Sequence, residues 1–399
     1  FDNRNDGKTE MITMAIPSGI MEHWNPGRLI FGVNSLSKVP SELRSFGKPL
    51  VLTDQGVKKA GILEKIEKIL KDSEISFEVF DTVPSDPPIK VIEAAFYNYK
   101  KKGCSSVIGL GGGSCLDAAK AVALIASTGN SMATYRDGRI VTENLIPVIA
   151  IPTTAGTGSE VTGTTVISDE ENQIKLAIKG RPLAPRIAIL DPTLLLGMPP
   201  KIAAATGADA LIHAMEAYFS INSNLITDGL ALQAIQLISS HLRAFVDDTQ
   251  DLEHAYPMLM GSTIAGLAFS NAGLGLVHSL AHPVGAFFHV HHGLACAAYL
   301  IPVLEFNKPD CMHKFPALAG ALDSSKACLP SEEASHFVTS FVGILFDNIG
   351  IPRKAQDLGL NGWTVHEKMV DDAFAASPTK VNPRKASKEE IRTLFNSIS

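Results

Sequence analysis

Short apolar runs alternate with amphipathic stretches through the first half of the chain, and this alternation constrains the fold more than any other feature. The runs that predict strands are PLVLT, ISFEVF, SSVIGL and IPVIAIP, at residues 49–53, 75–80, 105–110 and 146–152. Segments with helical spacing follow the first three, at residues 56–71, 89–102 and 114–126. Because parallel strands need crossover connections, which are usually helices, the pattern predicts a doubly wound, Rossmann-like parallel sheet.

The sequence pattern changes near Met198. Before it, residues 161–179 predict a β-hairpin around a polar turn, and residues 187–192 predict one more strand. After it, strand-like runs stop and helical spacing takes over, as in residues 228–245 and 335–350. An all-α second half is therefore expected.

A chain of 399 residues is long for a single hydrophobic core, so two domains are expected. We predict an α/β dinucleotide-binding domain over residues 15–198 and a helical metal-binding domain over residues 199–399, with Pro199 and Pro200 at the boundary. The polar residues 1–14 are interpreted as a tail or an expression remnant.

Charge, hydropathy and cysteine usage exclude several classes of protein. The formal net charge of −6 gives no reason to expect nucleic acid or an anionic membrane as a partner. No run approaches the roughly 18 apolar residues of a transmembrane helix, and no signal-peptide pattern is seen. The five cysteines are odd in number, scattered and without a Cys-x-x-Cys pair, which favours a reducing compartment and hence the cytoplasm.

Four side chains near the middle of the chain form a candidate metal site. Asp209 and His213 are four residues apart in a predicted helix, so they share one helical face. His278 and His292 follow in a stretch dense in histidine and glycine. One Asp and three His could bind Fe or Zn and leave room for a substrate oxygen. Any one of these histidines alone is more often a satisfied core residue.

A glycine-rich turn is a candidate phosphate site. The predicted strand SSVIGL runs into GGGS and then into a helix. Glycines let the backbone approach a phosphate, and a helix N-terminus offers free amides and a positive dipole end. Ser114 could be the N-cap and a phosphate donor. The pattern is not a complete G-x-G-x-x-G, so a tight structural turn remains an alternative.

Three blocks together resemble the iron-dependent (group III) alcohol dehydrogenase family: GGGSCLDAAKA from Gly111, PTTAGTGSEVT from Pro152, and the Asp/His blocks. The likeness is to lactaldehyde reductase and 1,3-propanediol dehydrogenase-type members. It implies a dehydroquinate synthase-like fold, and metal ligands at Asp209, His213, His278 and His292. It also implies NAD(H)-dependent interconversion of small primary alcohols and aldehydes, in a homodimer.

The resemblance also implies a set of cofactor contacts in the first half of the chain. Gly113 and Ser114 would hold the pyrophosphate, and Lys175 would lie beside the nicotinamide ribose. The loop residues expected near the cofactor are Thr153, Thr154, Val161 and, as an addition from the same loop, Ser159. Lysine on an edge strand is usually just solvated, which is the alternative for Lys175.

Two acidic residues are candidate ribose contacts. Asp54 ends a predicted strand, where a carboxylate can accept hydrogen bonds from the adenosine ribose and would repel a 2′-phosphate, which favours NAD. It could equally be the N-cap of the next helix. Asp86 lies where many relatives have Asn-Pro and could hold the adenine-side ribose, or simply form a turn.

The remaining histidines are assigned by the resemblance. His282 would lie beside the nicotinamide without binding the metal, as part of a proton path or as a substrate contact; a supporting or helix-end histidine is the alternative. In HVHHG the ligand precedes glycine, which selects His292, at the family interval of 14 residues after His278. His289 and His291 depart from the family pattern and could favour an anionic or hydroxylated aldehyde.

The combined prediction is a metal-dependent NAD(H) alcohol dehydrogenase or aldehyde reductase with its site in the cleft between two domains. Fe(II) is the expected metal, and the same ligands admit Zn(II). The alternatives are a glycerol-dehydrogenase-like polyol oxidoreductase or a dehydroquinate-synthase-like enzyme on the same scaffold, and a metal- or nucleotide-binding relative without catalysis.

Overall fold

A six-stranded parallel sheet organises the first half of the protein. The computed structural model describes residues 20, 22–172, 174–360 and 362–399, so the predicted tail at residues 1–14 lies outside the described residues. The sheet order is β1-β8-β5-β4-β2-β3, and β6 pairs with β7 as an antiparallel hairpin. The strands are β1 Arg28–Phe31, β2 Pro49–Leu52, β3 Glu78–Phe80, β4 Ser106–Gly111, β5 Val148–Pro152, β6 Thr164–Asp169, β7 Ile174–Lys179 and β8 Ile187–Leu190.

Helices cover both faces of this sheet. Alternate residues of β2 show why: Leu50 and Leu52 pack in one hydrophobic cluster, while Val51 packs in another on the opposite face. Strands buried on both faces read as continuous apolar runs, as the sequence does here. The helices of this half are α1 Val39–Leu43, α2 Gln55–Lys59, α3 Ile62–Asp72, α4 Ile89–Lys101 and α5 Gly113–Thr128. The predicted doubly wound sheet and hairpin are confirmed.

Several local predictions in this half need correction. The single helix predicted over residues 56–71 is two helices, because Gly61 adopts φ 72° between α2 and α3. Ser114 is not the N-cap of α5; Gly112 takes that position in an extended conformation. Strand β1 was not predicted from the sequence. It lies at the sheet edge, and its four residues are only half-buried or exposed.

The second half is helical, as predicted. Its helices are α6 Pro200–Phe219, α7 Leu225–Asp247, α8 Leu252–Ala272, α9 Leu276–Phe288, α10 His292–Cys311, α11 Phe315–Leu322, α12 Ser331–Asn348, α13 Glu367–Ala375 and α14 Lys388–Asn396. Helix α6 is buried almost all round from Ala203 to Phe219 and forms the centre of this half. Its core cluster also includes Ala188 and Leu190 of β8, so the two halves pack together. The boundary at residues 198/199 stays a prediction.

The loop after β5 joins the two halves by close backbone approach. At Gly156 an added Cβ would lie 2.7 Å from the Cβ of Thr206 on α6. At Gly158, which has φ 61°, an added Cβ would lie 2.7 Å from the Cα of Gly266 on α8. Glycine is therefore required at both positions by space, and at Gly158 by backbone conformation as well.

Within the described residues, no single helix is both long and apolar enough to cross a membrane. Helices α8 and α9 pass such a test only as a pair, and that pair is bent by 105°.

Candidate metal and cofactor site

The four predicted metal ligands converge on one point. The Nε2 atoms of His213, His278 and His292 lie 3.8, 3.7 and 3.8 Å from Oδ1 of Asp209. These separations are too long for hydrogen bonds and suit ligand atoms that share one cation, since metal–ligand distances are about 2.0–2.3 Å. The structure therefore brings together all four residues that the sequence singled out.

Three helices position these ligands. Asp209 and His213 lie one turn apart on α6, as their spacing predicted. His278 lies in the first turn of α9, and His292 is the first residue of α10. Between them the chain reverses at His289, which ends α9 in the left-handed conformation with φ 56°. This turn returns His292 to the metal site.

Hydrogen bonds at the far ring nitrogens orient two of the imidazoles. Nδ1 of His213 lies 3.1 Å from the carbonyl oxygen of Gly156, and Nδ1 of His278 lies 2.5 Å from Oε2 of Glu216. A carbonyl or carboxylate oxygen at Nδ1 selects the tautomer with its proton there. Both rings then present an unprotonated Nε2 to the site, as in metal centres with carboxylate-supported histidines.

The electrostatics of the ligand cluster favour a bound cation. Oδ1 of Asp209 and Nε2 of His278 are buried, and neither has a hydrogen-bond partner in the part of the chain that the structure describes. Burial raises the pKa of Asp209 to about 8 and lowers the pKa of His278 to about 3, so the surroundings disfavour the charged form of each group unless a ligand such as a cation compensates the carboxylate. Orphaned buried polar atoms are rare. The donor set therefore fits a divalent metal ion.

The GGGS turn and the loop after β5 lie side by side. The backbone N–H of Thr153 donates to the carbonyl of Gly111 at 3.0 Å. An added Cβ at Gly113 would lie 2.7 Å from Cγ2 of Thr157, and one at Gly112 would lie 3.4 Å from Thr154. The two predicted cofactor segments thus form one surface at the carboxyl ends of β4 and β5, where ligands of open α/β sheets bind.

Three of the predicted cofactor contacts meet at the edge of this surface. The backbone N–H of Asp86 donates to Oγ of Ser114 at 3.3 Å. Nζ of Lys175 on β7 pairs with Oδ1 of Asp86 at 2.6 Å. Asp86 has φ 53°, a left-handed turn conformation that Asp and Asn tolerate better than most residues. Ser114 thus contacts Asp86 instead of capping α5.

Asp54 is an N-cap. Its Oδ1 accepts from the backbone N–H of Val57 at 2.9 Å, at the start of α2. Its Oδ2 accepts from the thiol of Cys115 at 3.2 Å. The structure therefore shows the N-cap role that was the alternative for Asp54. The contact of Asp54 with a cofactor ribose stays a prediction.

The side chains of Ser159 and Val161 are both buried, one in a hydrogen-bond network and the other in a packed contact. Oγ of Ser159 donates to Asp117 at 2.6 Å and accepts from Nζ of Lys120 at 2.7 Å. Val161 is fully buried against Gly266 of α8. Direct cofactor contact by these two side chains stays a prediction with no support from their geometry.

His282 lies beside the ligand cluster, one turn after His278. Its ring centroid is 5.4 Å from that of His292 and 5.9 Å from that of His278. Helix α9 contains Pro283 and continues to Phe288, so His278 and His282 belong to one helix. The position suits a group that contacts substrate or nicotinamide, and that role stays a prediction.

Comparison with known proteins identifies the family. The iron-containing alcohol dehydrogenase model matches residues 26–192, and the C-terminal model of the Fe-containing alcohol dehydrogenase family matches residues 203–399. The chain belongs to the iron-containing alcohol dehydrogenase family. It is therefore an oxidoreductase that acts on CH–OH groups and interconverts alcohols and aldehydes, and the resemblance stated from its motifs is confirmed.

Individual relatives agree with this alcohol dehydrogenase assignment. The chain is 33% identical over 378 residues to alcohol dehydrogenase 4 of Schizosaccharomyces pombe, covering 93% of this chain and 87% of that protein. It is 31% identical over 372 residues to the NAD-dependent methanol dehydrogenase of Bacillus methanolicus, covering 93% and 97%. A solved 1,3-propanediol oxidoreductase superposes with a TM-score of 0.90 at 32% identity, covering 96% of this chain and all of that one.

Two residues of this alcohol dehydrogenase site were missed from the sequence. Glu216 follows His213 by three residues on α6, and burial raises its pKa to about 7. Cys296 follows His292 by four residues on α10, and its Sγ lies 3.7 Å from Nε2 of His292. In both cases the helical spacing to a predicted ligand was the available signal. Burial and the nearby Asp209 raise the pKa of the Cys296 thiol.

Proposed function

We propose that this alcohol dehydrogenase binds one divalent metal ion, Fe(II) with Zn(II) as its competitor, through Asp209, His213, His278 and His292, and that it uses NAD(H) to interconvert small primary alcohols and aldehydes. One observation carries the proposal: three imidazole Nε2 atoms lie 3.7–3.8 Å from a buried carboxylate oxygen that has no hydrogen-bond partner among the described residues. Members of a family defined by an iron site need such a donor set.

Each part of the site has a separate task. A metal held by these ligands would supply Lewis-acid polarisation of the substrate oxygen, and a bound nicotinamide would supply the hydride chemistry. Asp209 contributes the one formal charge among the proposed ligands. Glu216 and the carbonyl of Gly156 fix the ring orientation of His278 and His213. His282, beside the cluster, would contact the substrate or pass a proton to and from its oxygen.

The choice of NAD over NADP rests on Asp54. The residue lies at the carboxyl end of β2, and its carboxylate would repel the 2′-phosphate of NADP at close range. The adjoining GGGS turn presents backbone amides at the start of α5 for a pyrophosphate. The name of the methanol dehydrogenase relative, which includes NAD dependence, supports the same cofactor for this chain.

The substrate class follows from the residues between α9 and α10. His289 and His291 are exposed and lie three residues and one residue before His292. Imidazoles beside the site would donate hydrogen bonds to a charged or hydroxylated aldehyde. Equal turnover of unfunctionalised aldehydes and of anionic or hydroxylated ones would contradict this preference. Including glycerol in the same panel tests the polyol alternative.

The decisive experiment is aldehyde-dependent NADH oxidation by chelator-stripped protein that is reloaded anaerobically with Fe(II) or Zn(II). We expect the stripped protein to be inactive, one metal to restore turnover, and His278→Ala to abolish both metal retention and activity. The control is His241→Ala, which changes a partly buried histidine on α7 that contacts His254 and not the metal site, and it should behave as wild type. Full activity in the stripped protein would overturn the proposal.

Two further proposals concern the quaternary structure and the cellular location of the protein. We propose that the protein is a homodimer, because dimers are common in its family. A molar mass of twice the chain mass in light scattering would support this. We propose a cytoplasmic enzyme, because five scattered cysteines suit a reducing compartment and all five are free thiols here. Fractionation of cells that express the full-length protein tests the location.

A further inference from the structure

Cys115 contacts the carboxylate on which the choice of coenzyme rests. It is the third residue of α5, directly after the GGGS turn, and its side chain is buried. Its thiol donates to Oδ2 of Asp54 at 3.2 Å. Burial and the neighbouring Asp54 carboxylate raise the pKa of this thiol well above its ordinary value, so the thiol stays protonated and remains a donor at neutral pH.

The two carboxylate oxygens of Asp54 are held by different helices. Oδ1 accepts from the backbone N–H of Val57 at the start of α2, whereas Oδ2 accepts from the Cys115 thiol on α5. One of these bonds alone would leave the carboxyl group free to turn, because the terminal torsion of aspartate has a broad distribution. The two bonds together fix the plane of the carboxylate. Asp54 is half-buried, and a carboxylate has about four acceptor positions, so positions remain for ribose hydroxyls.

The same thiol lies against the turn that is the candidate pyrophosphate site. A Cβ added at Gly111 would lie 2.6 Å from Sγ of Cys115 and 3.4 Å from Oδ2 of Asp54. Strands β2 and β4, which end at Asp54 and at this turn, are neighbours in the sheet. Cys115 therefore joins the candidate ribose contact to the candidate phosphate site.

We propose that Cys115 is a positioning residue for coenzyme selection, whose thiol holds the Asp54 carboxylate in the orientation that accepts hydrogen bonds from the adenosine ribose and opposes a 2′-phosphate. The inference rests on the ribose contact of Asp54 in the proposed function and deepens it. The alternative is that Cys115 only fills space beneath the turn. Substitutions separate the two roles, because serine keeps a donor of similar size and alanine removes the donor.

The test measures kcat/KM of the metal-loaded enzyme with NAD, with NADP and with an NAD whose adenosine ribose lacks the 2′-hydroxyl. In Cys115→Ala, we expect the preference for NAD over each of the other two to fall about threefold, a change within the range of one net hydrogen bond. The change should appear in the KM for NAD, with kcat little altered, because the thiol acts at the adenosine end of the coenzyme. Cys115→Ser should keep the wild-type preferences.

Two controls isolate the bond between the thiol and the carboxylate. Cys104→Ala changes another buried cysteine of the same hydrophobic cluster, and it should leave both preferences unchanged. In an Asp54→Ala background, Cys115→Ala should change neither preference further, because the group that the thiol positions is absent. Each preference is a ratio measured within one protein, so a variant of lower stability is still informative.

The outcomes separate this inference from the proposed function. Wild-type preferences in Cys115→Ala, together with their loss in Asp54→Ala, would overturn the positioning role and leave the ribose contact standing. Equal losses in Cys115→Ser and Cys115→Ala, or in Cys104→Ala and Cys115→Ala, would show that Cys115 only fills space. If the wild-type enzyme used all three coenzymes equally well, both the ribose contact of Asp54 and the role of Cys115 would be overturned.

Discussion

Glu216 holds His278 in place through a bond between buried groups that are 62 residues apart in sequence. Oε2 of the glutamate lies 2.5 Å from Nδ1 of the imidazole, and Oε1 accepts from the backbone N–H of Val277 at 2.7 Å. Both oxygens therefore act as acceptors at once. The carboxylate fixes the start of α9 and the tautomer of the ligand at the same time.

Glu216→Gln should weaken metal binding about 10- to 100-fold, the usual cost of losing a supporting carboxylate. An amide has only one acceptor oxygen, so its NH₂ group would face either the N–H of Val277 or the N–H of His278. Chelator competition on the purified variant measures the loss. Glu305→Gln, which changes a half-exposed residue paired with Lys308, is the control. Wild-type metal affinity in Glu216→Gln would show that the bond does not orient the ligand.

Asp54→Asn should relax coenzyme choice without loss of stability. Asparagine is as good an N-cap as aspartate, so the bond from Val57 is retained while the charge that repels a 2′-phosphate is removed. We expect the NADP(H)-to-NAD(H) ratio of kcat/KM to rise about tenfold, equivalent to about 1.4 kcal/mol.

Asp54→Ala is the matched comparison. It removes the cap as well as the charge and should cost about 1 kcal/mol of stability in addition to the change in coenzyme ratio. Equal melting temperatures for the two variants would contradict the capping role, and an unchanged coenzyme ratio in both would contradict the ribose contact.

The extent to which sequence predicts this site follows from the range of each interaction. Asp209 and His213 are four residues apart on one helix, so their shared face could be predicted from spacing alone. The bond from Glu216 to His278 could not, because it depends on how α6 packs against α9. Cys296 was missed for a different reason: it was read with the other cysteines as a redox indicator and not by its spacing from His292.

Local structure shows the same limit. The strands of the sheet were predictable because burial on both faces makes them continuous apolar runs. The break at Gly61 was missed because the amphipathic pattern continues across it, although the backbone there is left-handed. Ser114 was predicted as a cap because serine prefers that position, whereas the helix begins at Gly113 and the hydroxyl accepts from Asp86. Residue preference cannot anticipate a partner 28 residues away.

His282→Ala should lower kcat while leaving the metal in place. If the imidazole takes part in proton transfer, its loss should cost about 100-fold or more. Metal content near one per chain separates this effect from that of His278→Ala, which should lose the metal. Wild-type kcat in His282→Ala would leave His282 only a supporting role beside the cluster.

Lys120→Met should destabilise the junction of α5 with the cofactor loop by about 3 kcal/mol, the lower end of the cost of breaking a buried charged network. The lysine is fully buried and donates to Ser159, Thr162 and the carbonyl of Thr164. Its Nζ also lies 3.6 Å from Oδ1 of Asp117. Burial lowers the pKa of Lys120 and raises that of Asp117, so the charge of each residue depends on the other.

Denaturant unfolding of the metal-loaded enzyme measures this cost. The control is Lys68→Met, which breaks the exposed i,i+4 ion pair between Lys68 and Asp72 on α3 and should change stability by less than about 0.5 kcal/mol. Adding Asp117→Asn to Lys120→Met should recover part of the lost free energy of unfolding, because the double variant no longer buries the Asp117 carboxylate without its cation. Strictly additive losses would contradict the coupling.

The hairpin that carries Lys175 should have a pH-dependent anchor at Asp169. Nε of Arg136 donates to this buried carboxylate at 2.6 Å, and Asn172 donates to it at 3.0 Å. The hydrogen bond from Arg136 is the main cause that holds the pKa of Asp169 below its ordinary value of 3.8. A lowered carboxyl pKa contributes stability that is present above about 3.8 and lost as the pH falls through the folded-state pKa.

Arg136→Gln should therefore lower the melting temperature near neutral pH, and its difference from wild type should shrink as the pH falls below 3.8. Arg243→Gln, which removes an exposed i,i+4 pair on α7, should show little difference at any pH. Melting curves of the three proteins, recorded in parallel from neutral to acidic pH, test this. A difference between Arg136→Gln and wild type that stays constant across the range would mean that Arg136 stabilises the hairpin by packing and not through the charge of Asp169.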